Sequence, residues 1–190
     1  FGGFGGIDTN PNSGVEIEVN LSLIKDGESV IDQTIGMKIH APDYRDQRSL
    51  RLYARGEYGE TQMKYPFFDS RPFDEYKRLI LRNAGNDGVE INGSGVRDAL
   101  ITGLMQDIDP AYPTSHWKPV CVYINGEYWG LYNMRERQDN NWLESLYGYE
   151  EDEVDFLERS ATAPNTRTQW SGNWDDYDAM ETQAINEDLS

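Results

Sequence analysis

The chain has 190 residues, enough for one domain with a buried core or for part of a larger domain. Hydrophobic residues make up 37% and aromatic residues 12% of it, so the composition excludes wholesale disorder. Its formal net charge of -17 argues against a nucleic-acid backbone or an anionic membrane as the main partner, and no apolar run reaches the roughly 20 residues of a membrane-spanning helix.

Strand patterns dominate the first third of the chain. Residues 15–23 alternate apolar and polar side chains, which predicts a strand with one wet face. Asp26-Gly27 predicts a tight hairpin turn into a second strand over residues 30–39. Residues 49–55 alternate again, which places Arg51 and Arg55 on one side of the sheet.

Helices and a second hairpin follow. A short strand over residues 79–82 precedes a Gly-rich turn, and apolar residues recur at helical spacing over residues 100–108, with Ser94 or Asn92 as the N-terminal cap and Pro110 as the stop. The second hairpin, residues 119–134, turns at Asn125-Gly126. A short helix then ends at Gly148, and residues 160–172 are polar and turn-rich. This order predicts an α+β fold with a mainly antiparallel sheet, hairpins and a few helices.

Charge is unevenly distributed along the chain. Residues 138–190 contain fourteen acidic and two basic residues, whereas residues 38–55 contain five basic and two acidic ones. This basic segment either faces solvent, as charged strand residues usually do, or binds an anion. Its basic residues are Lys38, Arg45, Arg48, Arg51 and Arg55.

The common catalytic motifs are missing from the sequence. There is no Walker loop, no Gly-x-Ser-x-Gly elbow and no His-Glu-x-x-His. The sequence has two histidines and a single cysteine, Cys121. These numbers exclude an intramolecular disulfide and argue against a metal site built from cysteine or histidine. The aspartates at Asp107-Ile108-Asp109 and Asp175-Asp176-Tyr177-Asp178 are expected to be solvated, so no metal ligands are predicted within the chain.

Several consecutive segments resemble the spore coat protein H (CotH) kinase family. Each segment is short, and the resemblance rests on their common order over about residues 15–158. In chain order they are Ile35-Gly36-Met37-Lys38-Ile39-His40, Gln47-Arg48-Ser49-Leu50-Arg51-Leu52-Tyr53-Ala54-Arg55, Tyr58-Gly59, Tyr65-Pro66-Phe67-Phe68, Leu79-Ile80-Leu81-Arg82-Asn83-Ala84-Gly85-Asn86-Asp87, Arg97-Asp98-Ala99-Leu100, and Tyr123-Ile124-Asn125-Gly126-Glu127-Tyr128-Trp129-Gly130-Leu131-Tyr132-Asn133-Met134-Arg135-Glu136-Arg137.

The resemblance implies an atypical protein-kinase-like fold and ATP-dependent phosphorylation of serines on proteins. ATP and Mg²⁺ are the cofactors that it implies for the full-length domain. The family's metal-binding aspartates follow in a later segment, so we expect the chain to cover only part of the kinase domain and its own activity stays open. The expected segments are a flexible Gly/Asn-rich lead-in without signal-peptide character over residues 1–13, the kinase portion over 14–158, and an acidic, polar segment over 159–190.

Phosphoryl transfer depends on positioning and on cations that oppose the phosphate charge. By the resemblance, we therefore expect Lys38, Arg48 and Arg51 to contact the nucleotide phosphates, with Glu136 ordering one of these cations through an ion pair. The alternative for Glu136 is a simple surface pair with a neighbouring arginine.

A further polar group surrounds the Gly-rich turn and the start of the predicted helix. These residues either line a cleft or form a buried polar network that joins strand to helix. They are Arg82, Asn83, Asp87, Arg97 and Asp98.

The family resemblance also bears on partners and location. It implies a protein substrate and a location outside a bacterium, on the spore or cell surface. If the acidic part of the chain attracts the substrate, we expect that substrate to be basic. The alternative function is a non-catalytic exported binding or scaffolding module that contacts glycans or proteins. Its candidate contacts are Trp117, Trp129, Trp170 and Trp174.

Overall fold

The computed structural model describes residues 14–40, 47–88, 92–109, 111–159 and 166–186. The chain forms two compact units, Phe1–Arg137 and Gln138–Ser190. The expected lead-in over residues 1–13, the basic residue Arg45 and the helix stop Pro110 lie outside the described residues. Within the described residues, no helix is both long enough and apolar enough to span a bilayer.

The first unit is built on a six-stranded antiparallel sheet. In chain order, the strands of this unit are β1 (Ile17–Lys25), β2 (Glu28–Ile39), β3 (Leu50–Tyr53), β4 (Met63–Lys64), β5 (Glu75–Tyr76), β6 (Arg78–Arg82), β7 (Trp117–Ile124) and β8 (Glu127–Glu136). In the large sheet the strand order is β1-β2-β3-β6-β8-β7, and β4 pairs with β5 in a small separate sheet. The α+β fold with a mainly antiparallel sheet is therefore confirmed.

Both predicted hairpin turns are present. Asp26 and Gly27 have φ values of 53° and 86°, and Asn125 and Gly126 have φ values of 52° and 82°. Two consecutive residues with positive φ define the type I′ turn, whose twist matches that of the strands it joins. These turns fix the pairing of β1 with β2 and of β7 with β8.

Apolar side chains fill the inner face of the sheet because strand residues alternate between its faces. The sheet curls so that Leu21 and Leu23 of the edge strand β1 and Val120 and Val122 of the edge strand β7 line the same apolar cavity of about 110 Å³. Aromatic rings from the segment between β3 and β6 complete this core. The buried core residues include Ile31, Ile35, Met37, Leu50, Leu52, Met63, Phe67, Phe68, Tyr76, Leu79, Leu81, Tyr132 and Met134.

The predicted helix is confirmed as α1 (Arg97–Ile108), but its predicted cap is not. The N-cap position is Val96, which offers no side-chain hydrogen bond. The carboxylate of Asp87, ten residues earlier, accepts the Arg97 backbone N–H at 2.8 Å instead. The cap therefore comes from a preceding turn rather than from Ser94 or Asn92.

The second unit contains a predicted helix and three elements that the sequence did not predict. Helix α2 (Asn140–Tyr147) ends at Gly148 in the left-handed conformation, as expected. Strands β9 (Phe156–Arg159) and β10 (Arg167–Ser171) form a hairpin, and helix α3 (Asp175–Asn186) follows. The polar, turn-rich interpretation of residues 160–172 was wrong for β10. Ion pairs hold this strand to α3, among them Arg167–Asp178 at 2.6 Å.

The first hairpin offers a matched test of the inner face. Ile35 of β2 has no exposed surface, whereas Ile24 of β1 is 67% exposed. We expect Ile35→Ala to lower the free energy of unfolding by about 2–5 kcal/mol, because a buried cavity is created, and Ile24→Ala to change it by less than about 0.5 kcal/mol. Urea denaturation of both variants measures the difference. Equal losses would contradict this assignment of faces.

Candidate functional site

Cationic side chains crowd the outer face of the six-stranded sheet. Lys38 lies directly opposite Arg51, and Tyr53 lies opposite Arg78, in the strand register. Directly opposite residues in antiparallel strands point to the same face, so the core occupies one face and these residues the other. We call this outer surface the basic face. It carries Lys38, Arg51, Arg55, Arg78, Arg82, Arg135 and Arg137.

Four of these cations converge on the ring of Tyr53. The ring centroid lies 5.1 Å from Nζ of Lys38 and 4.6 Å, 5.9 Å and 5.6 Å from Cζ of Arg55, Arg78 and Arg137. Arg137 also donates a hydrogen bond to the Tyr53 hydroxyl at 2.7 Å. Cations within about 6 Å of an aromatic ring are attracted by its quadrupole. Tyr53 is only 2% exposed, so its ring forms the centre of what we call the Tyr53 cluster.

Glu16 orients one side of this cluster. Its carboxylate accepts hydrogen bonds from Nε and from an Nη of Arg55, at 2.8 Å and 3.1 Å. This contact raises the pKa of the Arg55 guanidinium. The carboxylate and the ring of Tyr58 occupy the space where Gly36 would carry a Cβ. A glycine at position 36 is therefore what lets Glu16 reach Arg55.

The structure brings two of the predicted phosphate contacts together. Lys38 and Arg51 are neighbours across β2 and β3, and Arg51 Nε lies 2.6 Å from Nδ1 of His40. Arg48 is half-buried ahead of β3, where its backbone carbonyl accepts the Tyr132 hydroxyl at 2.8 Å. A nucleotide-binding role for these residues stays a prediction.

Glu136 has a different partner from the predicted ones. It lies opposite Leu79 on the inner face, where its carboxylate accepts a hydrogen bond from Nε of Arg71 at 2.7 Å and a second from the same guanidinium. The backbone N–H of His116 donates to it at 2.7 Å. Glu136 is 2% exposed, so its ion pair with Arg71 is not a surface pair. The pair also does not include Lys38 of β2 or Arg51 of β3. The alternation of β8 turns it inward.

The predicted polar group forms a network between the Gly-rich turn and α1. Asp87 accepts hydrogen bonds from the backbone N–H of Ser94 at 2.9 Å, from its hydroxyl at 2.7 Å and from the backbone N–H of Arg97. These hydrogen bonds lower the pKa of Asp87 to about 2. Asn83 accepts the Ser49 hydroxyl at 2.7 Å. Arg82 and Arg135 both pair with Asp98, whose single negative charge offsets part of their positive charge at this end of the basic face.

Sequence reasoning missed several members of the Tyr53 cluster. Arg78 and Arg137 come from β6 and from the end of β8, far along the chain from Lys38. Every second residue of β6, from Arg78 through Ile80 to Arg82, points to one face. This spacing could have predicted that Arg78 lies on the same face as Arg51. Alternation within their own segments places Glu16 and Tyr53 outward, but it does not specify their partners, because these contacts cross the sheet.

The described residues contain no group of three or more His, Cys, Asp or Glu side chains that could hold a metal ion. Asp107 and Asp109 lie exposed at the end of α1, and the aspartates of residues 175–178 lie in the first turn of α3. Trp129 is buried at 7% exposure and Trp170 is 56% exposed. A glycan or protein contact through these tryptophans stays a prediction.

One family model matches most of the chain. The model of the CotH kinase protein family matches residues 40–190. A comparison with curated protein sequences finds no significant match. The match includes β3, β6 and β8, which carry most of the basic face.

Substitution of the buried acid should affect stability first. We expect Glu136→Gln to lower the free energy of unfolding by about 3–5 kcal/mol, because it leaves the Arg71 charge buried without its counter-charge. Glu18→Gln, at an exposed position of β1 in the same sheet, is the matched control and should change it by less than about 0.5 kcal/mol. Urea denaturation measures both. A small loss in Glu136→Gln would show that the pair is dispensable for folding.

The helix contact of Asp87 predicts a pH dependence. A carboxyl group with a depressed pKa in the folded state stabilises above its unfolded pKa of 3.8 and loses this effect as the pH falls towards 2. We therefore expect Asp87→Asn to lower the urea midpoint at pH 6, with a difference from the parent protein that shrinks between pH 4 and pH 2. Asp107→Asn, at the exposed end of the same helix, is the control for removal of a carboxylate. A constant difference across this pH range would rule out the linkage.

Proposed function

The chain belongs to the CotH kinase family, and on that premise we propose that the Tyr53 cluster binds the phosphates of ATP for phosphoryl transfer to serines on proteins. The supporting observation is the convergence of Lys38, Arg55, Arg78 and Arg137 on one tyrosine ring. Each of these cations comes from a different strand or strand end, so the sheet itself holds them together.

The chemistry of these side chains suits a polyphosphate. Arginine presents several N–H donors in a planar fork that matches phosphate oxygens, and lysine adds a compact positive charge. Lys38, Arg78 and Arg137 are half-buried, so their attraction to an anion is screened less than it is at a fully exposed surface. Tyr53 holds them at fixed positions before any ligand arrives.

Phosphoryl transfer needs positive charge where the phosphate oxygens lie. The γ-phosphoryl group of ATP moves to the oxygen of a substrate serine as its bond to ADP breaks, and that serine loses its hydroxyl proton. The basic face would bind and orient the phosphates and oppose their charge through this step. The described residues contain no group of three or more side chains that could hold a metal ion, so the part of this chain in the reaction is to contact the phosphates.

The acidic remainder of the chain bears on the protein substrate. Residues 138–190 contain fourteen acidic and two basic residues, and such a field attracts basic partners and accelerates their encounter at low salt. We propose basic, serine-containing proteins as substrates. A location on the spore or cell surface of a bacterium is part of the same proposal.

Removal of one cluster cation tests the phosphate site. We expect Arg78→Gln and Lys38→Met each to weaken ATP binding by roughly 10- to 100-fold, because charge-assisted hydrogen bonds to the phosphates are lost. Lys25→Met, at the exposed turn end of β1, is the control and should leave affinity unchanged. Isothermal titration with ATP measures binding, and thermal melting confirms the folded state of each variant. Equal ATP affinity in all three variants would overturn the site.

A second measurement separates binding from catalysis. The protein is incubated with ATP, Mg²⁺ and a basic peptide that contains serine, and phosphoserine is detected by mass spectrometry. An acidic peptide with the same serine positions is the matched control. If ATP binds but no phosphoserine forms, the phosphate site is supported and the kinase activity of this chain is contradicted.

A further inference from the structure

Ser70 and His116 form a close pair on the inner-face side of the first unit. The Ser70 hydroxyl oxygen lies 2.9 Å from Nδ1 of His116. Ser70 is exposed in a tight turn in which the Arg71 backbone N–H donates to the Phe68 carbonyl at 3.0 Å. His116 is half-buried immediately before β7. An accessible hydroxyl thus lies within hydrogen-bond reach of an imidazole, which is the basic requirement for an activated serine.

One buried carboxylate holds both members of this pair in place. Glu136 binds the Arg71 guanidinium, which fixes the residue next to Ser70, and it accepts the backbone N–H of His116 at 2.7 Å. Arg71 also donates to the Thr114 carbonyl at 2.7 Å, two residues before His116. Ser70 and His116 are therefore attached to the same rigid centre from two sides. A nucleophile and its base gain reactivity when such contacts pre-position them.

The surroundings of His116 keep its imidazole neutral near pH 7. Burial and the Arg71 charge lower its pKa below the ordinary 6.5, against the opposing effect of Glu136. The ring of Phe68 contacts the imidazole edge-on, with centroids 6.3 Å apart. The remaining nearby charges, Asp69 and Lys118, pair with each other at 3.0 Å. A neutral imidazole with its proton on Nε2 leaves the Nδ1 lone pair to accept the Ser70 hydroxyl.

We propose that Ser70 and His116 form a nucleophile–base pair that accepts acyl groups from small activated carboxylic esters. Ser70 Oγ forms a bond to the ester carbonyl carbon, and the hydroxyl proton passes to Nδ1 of His116. The carbon–oxygen bond to the leaving group then breaks, and His116 returns the proton to the departing oxygen. Water releases the acyl group by the reverse use of the same base.

A neutral ester fits the charge around Ser70. The Asp69 carboxylate beside Ser70 pairs with Lys118 at 3.0 Å, and Glu136 binds the Arg71 guanidinium, so these charges compensate one another. An uncharged acyl donor needs no counter-charge to approach Ser70. This activity is independent of ATP and of the basic face, so it does not rest on the proposed kinase function.

Acetylation with 4-nitrophenyl acetate tests the pair directly. We expect a burst of nitrophenolate and an acetyl group on Ser70, located by peptide mass spectrometry. Ser70→Ala should abolish this modification, and His116→Gln should slow it roughly 100-fold because the base is removed. Ser145→Ala is the matched control, since the exposed Ser145 hydroxyl donates only to the Asn141 carbonyl at 3.0 Å among the described contacts. This control should react like the parent protein.

The pH dependence of the same reaction gives a test that needs no variant. The acetylation rate of the parent protein should rise with pH through an inflection below 6.5 and level off by about pH 7, because only the neutral imidazole accepts the proton. Acetylation that bypasses Ser70, or that reaches Ser70 at the same rate in folded His116→Gln, would overturn the proposal. So would a rate that rises steadily with hydroxide and shows no inflection.

Discussion

The two-residue period of the strands is the constraint on which this structure depends. In one sheet, each strand must give every second residue to the core, so polar residues gather on the opposite face. Leu50 and Leu52 of β3 are buried inward, which turns Arg51 and Tyr53 outward. Antiparallel register then aligns these residues with Lys38 and Arg78 of the neighbouring strands. The basic face is thus a consequence of core formation as much as of the positions of the cations along the chain.

Glu136 is the exception that connects the two faces. It is a charged residue at an inward position, which is costly unless it is paired and hydrogen-bonded. Arg71 and the His116 backbone meet that requirement, so the turn before β5 and the segment before β7 are tied to β8. The next residue, Arg137, points outward to the Tyr53 hydroxyl. Two adjacent residues of one strand end therefore support the Ser70–His116 pair on one side and the Tyr53 cluster on the other.

Local features of the fold could be predicted from the sequence, and long-range ones could not. The turns at Asp26-Gly27 and Asn125-Gly126 depend on a few neighbouring residues, and alternation within one strand places Arg51 outward. The partner of Glu136 is 65 positions away along the chain, and nothing in a single sequence specifies that distance. Strand β10 was missed because ion pairs with α3 hold it, rather than an alternating apolar pattern.

The arrangement around Tyr53 explains how like charges coexist in one place. Lys38, Arg78 and Arg137 repel one another, and the electron-rich ring between them offsets part of that repulsion. Glu16 fixes Arg55 with two hydrogen bonds. Because the sheet and the ring hold these cations before any ligand arrives, an anion that binds there loses little free energy to side-chain ordering. A preorganised set of cations is also the form in which charge stabilisation contributes most to a reaction.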